Sequence, residues 1–292
     1  MGRLTARRRV RRVDTRAVGT GAAPAGPAWS DAVDQVAVEE PLELRLNGES
    51  LAVTMRTPGH DVELAHGLLY AEGLIAAAAD VAMARYCPGA GVDLTTGAAV
   101  TGPNSYNVLD VTLADGLAPV GRGMRALVTS SACGVCGTRA IADLLAGGLP
   151  DLRDDPTSFA ARLLAGLPDR LRDGQRVFGA TGGVHAAALC SADGTPLVVR
   201  EDVGRHNAVD KAVGWALLGG RLPGRGLALV VSGRASYELV QKAVRARVPL
   251  LVAVSAPSSL AVDLAESAGL TLVAFTREGR FTAYTHADRI TG

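Results

Sequence analysis

A chain of 292 residues with 48% hydrophobic content is long enough for one large or two modest globular domains with real cores. Its 30 basic and 29 acidic residues leave a formal charge of +1, which excludes a general electrostatic drive toward nucleic acid or membrane. Four cysteines are too few for a disulfide scaffold, and no run reaches the roughly 20 apolar residues of a membrane-spanning helix, so a reduced, cytoplasmic setting is expected.

The amino terminus carries Arg3, Arg7, Arg8, Arg9, Arg11, Arg12 and Arg16 and then passes into a Gly/Pro-rich run ending at Pro27. A twin-arginine export signal needs an apolar segment after the arginines, and this run is not one. Residues 1–38 read as a flexible solvated tail, with an electrostatic arm for an acidic partner as the alternative. Near Glu40 the fold begins: Leu42, Leu44 and Leu46 alternate with polar residues, Asn47-Gly48 offers a tight turn, and Leu51–Met55 completes a β-hairpin. Thr57-Pro58-Gly59-His60-Asp61 breaks the strand, Asp61 is placed to cap a helix carrying Val62, Ala65, Leu68 and Leu69, and Gly73 ends it. Within that helix His66 reads as packed or hydrogen-bonded; His60, in the loop, stays open between structure and function. Cys87 lies in a weakly patterned stretch and reads as a small buried apolar residue.

Tyr106, Val108 and Val111 mark a strand, and Leu127-Val128-Thr129 a second one leading into Ser130-Ser131-Ala132-Cys133-Gly134-Val135-Cys136-Gly137. A Cys-x-x-Cys pair serves as half of a zinc site, as a redox disulfide or as a sulfur-handling nucleophile. The helical pattern from Thr138 to Leu145 would put the thiols ahead of a helix N-terminus, which favours thiolate. Asp155-Pro156 is expected to start an amphipathic helix with Phe159, Leu163, Leu164, Leu167 and Leu171 on one face. Beyond Val177 short apolar strands (Val184–Leu189, Leu197–Val199, Leu227–Val231, Leu250–Val254, Leu270–Phe275) alternate with helices (His206–Leu218, Tyr237–Ala246, Leu260–Ser267). That alternation predicts an α/β fold with a mostly parallel sheet in the C-terminal half, covered on both faces.

Ligands of such sheets sit at the carboxyl ends of strands. The loops there are rich in Gly and polar residues: Thr181–His185, Glu201–Asn207, Ser232–Ser236, Ser255–Ser259 and Phe275–Arg280. Together they point to an anionic ligand, with nucleotide leading. Asp202, Arg205, His206 and Asn207 crowd four functional side chains into six residues, with a hydrogen-bond knot bracing the sheet as the plainer reading. Lys211 and Lys242 are the only lysines in an arginine-rich chain, a hint that a compact ammonium is needed there. Structural zinc lacks a second ligand pair, and zinc nucleobase deaminases need a His-x-Glu that this chain does not contain. Sulfur transfer suits a nucleophilic cysteine on a small-residue loop.

Ser131–Gly137, Thr181–His185, the eleven-residue run Glu201–Lys211 and Ser255-Ala256-Pro257 resemble the formate dehydrogenase accessory sulfurtransferase family, FdhD, as do Thr57–Asp61 and Phe281–Thr285. The likeness spans roughly residues 40 to 290. It implies a persulfide carrier at Cys133, assisted or resolved by Cys136, with sulfur coming from a cysteine desulfurase and passing to the molybdenum cofactor, bis(molybdopterin guanine dinucleotide), for formate dehydrogenase. It implies a cofactor-binding stretch at Phe275, Thr276, Arg277, Glu278, Gly279 and Arg280. The guanine nucleotide ends, for which a GDP-like nucleotide would compete, would lie among His185, Asp202, Arg205, His206, Asn207, Lys211, Ser232, Arg234, Ser236 and Ser255. The implied fold is a cytidine deaminase-like three-layer α/β/α sandwich, in a homodimer. The domain expected is 39–292, divided into a subdomain at 39–126, a mobile Cys-x-x-Cys loop at 127–137 and an α/β core at 138–292. Thr138 stands where lysine is expected in many relatives, so thiolate formation would fall to the helix N-terminus or Arg139. A non-catalytic cofactor chaperone and a thiol-disulfide oxidoreductase are the alternatives.

Overall fold

The computed structural model describes residues 4–15, 28–87, 91–92, 99–100, 106–115, 117, 127–128 and 148–292. Within the segment expected to be a flexible tail, β1 (Thr5–Asp14) and β2 (Ala28–Ala37) pair as a long antiparallel ribbon. β3 (Glu40–Leu46) and β4 (Glu49–Arg56) form the expected hairpin, and Asn47 and Gly48 both take positive φ, as a tight turn that follows strand twist requires. α1 (Asp61–Ala71) follows. Its cap position is held by His60 at φ 59, because the Asp61 carboxylate is taken instead by the buried Arg56 guanidinium and the Tyr86 hydroxyl. β5 (Val81–Tyr86), the two-residue pair β6 (Gly91–Val92) and β7 (Ala99–Val100), then β8 (Val108–Leu113) and β9 (Leu127–Val128) come next. The order β5-β8-β3-β4-β9 makes a five-stranded sheet, in which Leu42, Leu44 and Leu46 pack with Leu64, Ala65 and Leu69 of α1.

The helix expected from Asp155-Pro156 starts later. β10 (Phe159–Ala160) first pairs with β17 (Ile290–Thr291) at the far end of the chain, and α2 runs over Ala161–Asp173. After α3 (Arg176–Thr181) come β11 (His185–Ser191), β12 (Pro196–Asp202), α4 (Arg205–Leu218), β13 (Leu227–Val231), α5 (Tyr237–Arg245), β14 (Leu250–Ala253), α6 (Ser259–Ala268), β15 (Thr271–Arg277) and β16 (Arg280–Thr285). They build a six-stranded sheet in the order β12-β11-β13-β14-β15-β16. The sheet is mixed rather than mostly parallel. Only β13, β14 and β15 run parallel, because the turns at Asp193-Gly194 and Glu278-Gly279 fold β12 and β16 back antiparallel on their predecessors. Helices do cover both faces. Ala187, Leu229, Leu251 and Leu272 pack under α4, α5 and α6, while Ala186, Val230, Val252 and Val273 pack with Leu164, Leu167 and Leu171 of α2. Among the described residues no helix is long and apolar enough to cross a membrane.

α1 lies against α4 and joins the two sheets through a contact that only glycine permits. A Cβ on Gly67 would sit 1.9 Å from the Asp210 carbonyl oxygen, and one on Gly214 would sit 1.8 Å from the Glu63 carbonyl oxygen. Gly67→Ala or Gly214→Ala must therefore push the helices apart, and each is expected to lower the unfolding free energy by about 1–3 kcal/mol, read as a lower urea midpoint. Gly166→Ala on α2, where a Cβ meets nothing within 4 Å, is the control and should be neutral or slightly stabilising.

Candidate functional site

The three parallel strands end together. Val231 of β13 is in register with Ala253 of β14, and β15 bulges after Ala274 so that the Phe275 N–H donates to the Ser255 carbonyl at 3.3 Å. β11 starts at this same rim with His185, opposite Asp202 at the end of β12. The loops after β13 and β14 are joined by the Ala235 to Pro257 bridge, and the Ser258 Oγ caps α6 by accepting from the Ala261 N–H. The five polar loops picked out in the sequence thus converge on one edge of the sheet.

Beneath that edge lies a buried polar knot. Asp202 is fully buried, its Oδ2 lies 2.7 Å from the Lys211 Nζ, and it accepts from the backbone N–H of Thr57 at 3.1 Å and of Gly204 at 2.8 Å. Asn207 Nδ2 donates to Asp202 Oδ1 and to the Met55 carbonyl, Thr54 Oγ1 donates to Asn207 Oδ1, and Lys211 donates to the Thr57 carbonyl. Burial pushes the Asp202 carboxyl up, while Lys211 and the N–H donors pull it down. With an ammonium at 2.7 Å and three N–H donors, we take it as the carboxylate. Asp202, Asn207 and Lys211 therefore spend their hydrogen bonds inside the protein, locking the β4–α1 loop to the start of α4. Lys242 is paired in the same manner, with Asp210 at 2.6 Å.

The open side of the rim carries other groups. His185 lies beside Ser232, whose Oγ accepts from the Ala186 N–H at 2.9 Å. Burial lowers the His185 pKa and the nearby Arg205 and His206 push the same way, so its imidazole is neutral at pH 7. Gly233 presents bare backbone beside the His185 ring, where a Cβ would make ordinary contact at 3.4 Å. Arg205 Nε is buried with no hydrogen-bond partner among the described residues, and Thr276 Oγ1 is another such atom. His206 Nε2 meets Glu238 Oε2 at 2.7 Å and the Ser236 Oγ at 3.3 Å. Burial pushes Glu238 up, but the hydrogen bond and charge of His206 together with the charges of Lys242 and Arg205 outweigh this and keep the carboxyl below its ordinary value. Arg234 is exposed on the loop. Of the final stretch, Thr276 points inward and Phe275 outward at the rim, while Arg277, Glu278, Gly279 and Arg280 form an exposed hairpin tip with an Arg280 to Glu278 contact of 3.1 Å.

Sequence reasoning passed over Glu238, whose only signal was an acid in the first turn of α5 just after Ser236. It also missed that Thr57 would contact the Glu201–Lys211 run, a pairing of residues 145 apart that no local pattern reveals. Cys133 and Cys136 lie outside the described residues, as does Thr138. The chain reaches them from β9, which runs parallel beside β4 with Val128 opposite Val53, the strand that leads to Thr57. Cys190 is buried and its thiol is pushed up to about 11, and Cys87 is half-buried.

A family model described as the FdhD/NarQ family matches residues 37–291. The chain is 54% identical over 289 residues to the sulfur carrier protein FdhD of Nocardia farcinica, covering 99% of this chain and 96% of the relative. It is 49% identical over 292 residues to that of Mycobacterium tuberculosis, covering the whole of both. A crystal structure from Desulfotalea psychrophila, assigned as a formate dehydrogenase accessory protein, superposes with a TM-score of 0.70 over 99% of this chain and 100% of that one. At 23% identity that likeness speaks for the fold.

Lys211→Met would leave the Asp202 carboxylate buried without its cation and is expected to cost about 3–5 kcal/mol of stability in urea unfolding, with part recovered in Lys211→Met/Asp202→Asn. A second expectation concerns Glu63, which accepts from Arg200 Nε at 2.5 Å and Nη2 at 2.7 Å and lies beside His60. Burial pushes this carboxyl up, yet Arg200 and His60 outweigh it and hold it at about 2 against an ordinary value of 4.5. A lowered carboxylate pKa stabilises the fold above the unfolded value and ceases to do so as pH falls through the folded one. Between pH 4.5 and 2 the wild type should lose about 1–2 kcal/mol more than Glu63→Gln, after allowance for solvent screening.

Proposed function

The chain belongs to the FdhD/NarQ family, and we propose that it is a sulfur carrier: it takes persulfide sulfur from a cysteine desulfurase onto Cys133 and delivers it to the molybdenum cofactor, as bis(molybdopterin guanine dinucleotide), on which formate dehydrogenase depends. The observation that carries this reading is the convergence of five polar loops on one sheet edge, in a chain whose full-length relatives bear the name of sulfur carriers. The loading step needs no outside oxidant or reductant. The Cys133 thiolate attacks the outer sulfur of the donor persulfide, the donor S–S bond breaks, and the donor cysteine leaves as thiolate while the outer sulfur and its proton stay on Cys133. If the Cys136 thiolate then attacks the inner sulfur, a disulfide forms and hydrosulfide leaves. When bound, the cofactor would accept that sulfur, and a dithiol reductant would then return the Cys133–Cys136 disulfide to thiols before the next round.

The rim fits an anionic, nucleotide-bearing cargo. Arg205 offers an unused N–H, Gly233 leaves room for close approach, and neutral His185 offers a ring nitrogen without charge. On this reading His185, Arg205, His206, Ser232, Arg234, Ser236 and Ser255 hold the nucleotide ends, with Phe275 and the tip from Thr276 to Arg280 closing over the pterin. Asp202, Asn207 and Lys211 act from beneath, by fixing the loop that presents Arg205 and His206. A cytidine deaminase-like sandwich, a homodimer and action in the cytoplasm complete the reading.

Intact-protein mass spectrometry after incubation with a cysteine desulfurase and cysteine tests the central step. One added sulfur, about 32 Da, is expected in the wild type and in Cys190→Ala and absent in Cys133→Ala; an active donor that leaves the wild type unmodified would sink the proposal. Titration with GDP tests the rim: Arg205→Ala should weaken binding about tenfold, the scale of one hydrogen bond to a charged group, while keeping the wild-type melting curve.

A further inference from the structure

The arginine-rich ribbon is left unused by the reading above. In an antiparallel pair, directly opposed residues share a face. The register sets Arg7 opposite Gln35, Arg9 opposite Val33, Arg11 opposite Asp31 and Val13 opposite Trp29, so these cations and apolar side chains alternate on one surface. Trp29 is 57% exposed and Val33 62%, far more than large apolar residues need be. Arg11 stacks over the Trp29 ring at 5.1 Å and lies 3.6 Å from Asp31, while Arg7 and Arg9 are exposed and make no ion pair among the described residues. A two-stranded ribbon cannot bury such a face on itself.

The root of the ribbon stands against the wall of the strand-end site. The Val38 N–H donates to the Leu4 carbonyl, Leu4 approaches Gly59, and Ala37 approaches Gly183. Gly59 is two residues from Thr57 of the buried knot, and Gly183 is two from His185. A cleft of about 560 Å³ at the root is lined by Leu4, Thr5, Ala6, Arg7, Arg8 and Gln35.

We propose that the ribbon face bearing Arg7, Arg9, Arg11, Val13, Trp29 and Val33 docks an acidic protein surface, and that this surface belongs to the client enzyme served at the adjacent strand-end site. The identity of the client rests on the sulfur-carrier reading; the chemistry of the face does not. Three arginines against one aspartate call for acidic residues, and tryptophan with arginine is the usual pairing at the energetic centre of protein interfaces. A nucleic acid backbone would favour an unbroken row of cations, whereas Val33, Asp31 and Trp29 interrupt this one. A second copy docked ribbon to ribbon would set arginine against arginine.

The experiment measures binding of full-length chain to purified apo formate dehydrogenase across a salt series, with sulfur loading of Cys133 followed in the same preparations. The variants are Arg7→Glu/Arg9→Glu, Trp29→Ala/Val33→Ala and the charge-retaining Arg7→Lys/Arg9→Lys. The first two should weaken binding at least tenfold, the first also flattening the salt dependence, while the lysine variant stays within threefold of wild type and all load sulfur normally. Unchanged binding by the first two overturns the proposal. So does ribbon-dependent binding of a mixed-sequence DNA duplex, or ribbon-dependent self-association, without ribbon-dependent client binding. Loss of sulfur loading in the wild type would count against the carrier reading alone, since the binding series still decides the role of the ribbon.

Discussion

The buried Asp202 to Lys211 pair is the constraint on which the rest of the structure turns. Asp202 ends β12, Lys211 lies in the second turn of α4, and Thr57 opens the loop after β4, so one carboxylate ties an element of each sheet to the helix between them. Neither charge could be buried alone, since an unpaired ion in such surroundings costs several kcal/mol. Each partner therefore enforces the placement of the other, and with it the orientation of Arg205 and His206 at the first turn of α4. Asn207 completes the arrangement by closing onto Met55 and Asp202 together. Precision at the rim is set by groups that a ligand there need never touch.

The glycine crossing of α1 and α4 serves the same end by a different force. Backbone contact at Gly67 and Gly214 brings the helices close enough for the Thr57 loop to reach Asp202. Wider spacing, as two leucines would impose, would stretch those hydrogen bonds beyond useful length. The Lys242 to Asp210 pair extends the lock into α5, whose first turn carries Glu238 against His206. Close packing and buried ion pairs thus act in series from the five-stranded sheet to the strand-end rim.

Much of this was legible in the sequence wherever a local pattern decides structure. The Asn47-Gly48 hairpin, the strand and helix alternation after Val184, and the gathering of polar loops at strand ends all follow from periodicity and turn chemistry. What failed did so for identifiable reasons. Phe159 keeps helical spacing with Leu163 and Leu167 yet pairs as a strand with Ile290, because a partner 131 positions away in sequence outweighs local propensity. Asp61 looks like a helix cap but is claimed by Arg56. The mostly parallel sheet was inferred from alternation, which says nothing about how an edge hairpin returns. Ribbon residues Thr5–Asp14 alternate so weakly, with arginine on both faces, that composition masked the strand. For Asp202 and Asn207 crowding of polar groups left both ligand and knot open, for Lys211 rarity hinted at a needed ammonium, and only the distances to Thr57, Met55 and Glu201 show how fully they are occupied.

The distribution of charge links these parts. A net charge of +1 conceals an uneven distribution. In the interior most cations meet anions, Lys211 with Asp202, Lys242 with Asp210, Arg56 with Asp61 and Arg200 with Glu63, while buried Arg289 is held by backbone carbonyls instead. Cations that form no ion pair among the described residues stand, among other places, at the strand-end rim with Arg205 and Arg234 and on the ribbon with Arg7 and Arg9. Paired charges fix geometry because moving either one exposes the other to an apolar surround. Unpaired cations at a surface keep their solvation and field available to a ligand, at a range set by the Debye length of about 8 Å in physiological salt. Because the ribbon root touches the loop that closes the rim, an anionic cargo and an acidic protein that receives it would meet fields of the same sign on adjoining surfaces. Recognition of both would then depend on one framework, held in place by pairs that neither of them contacts.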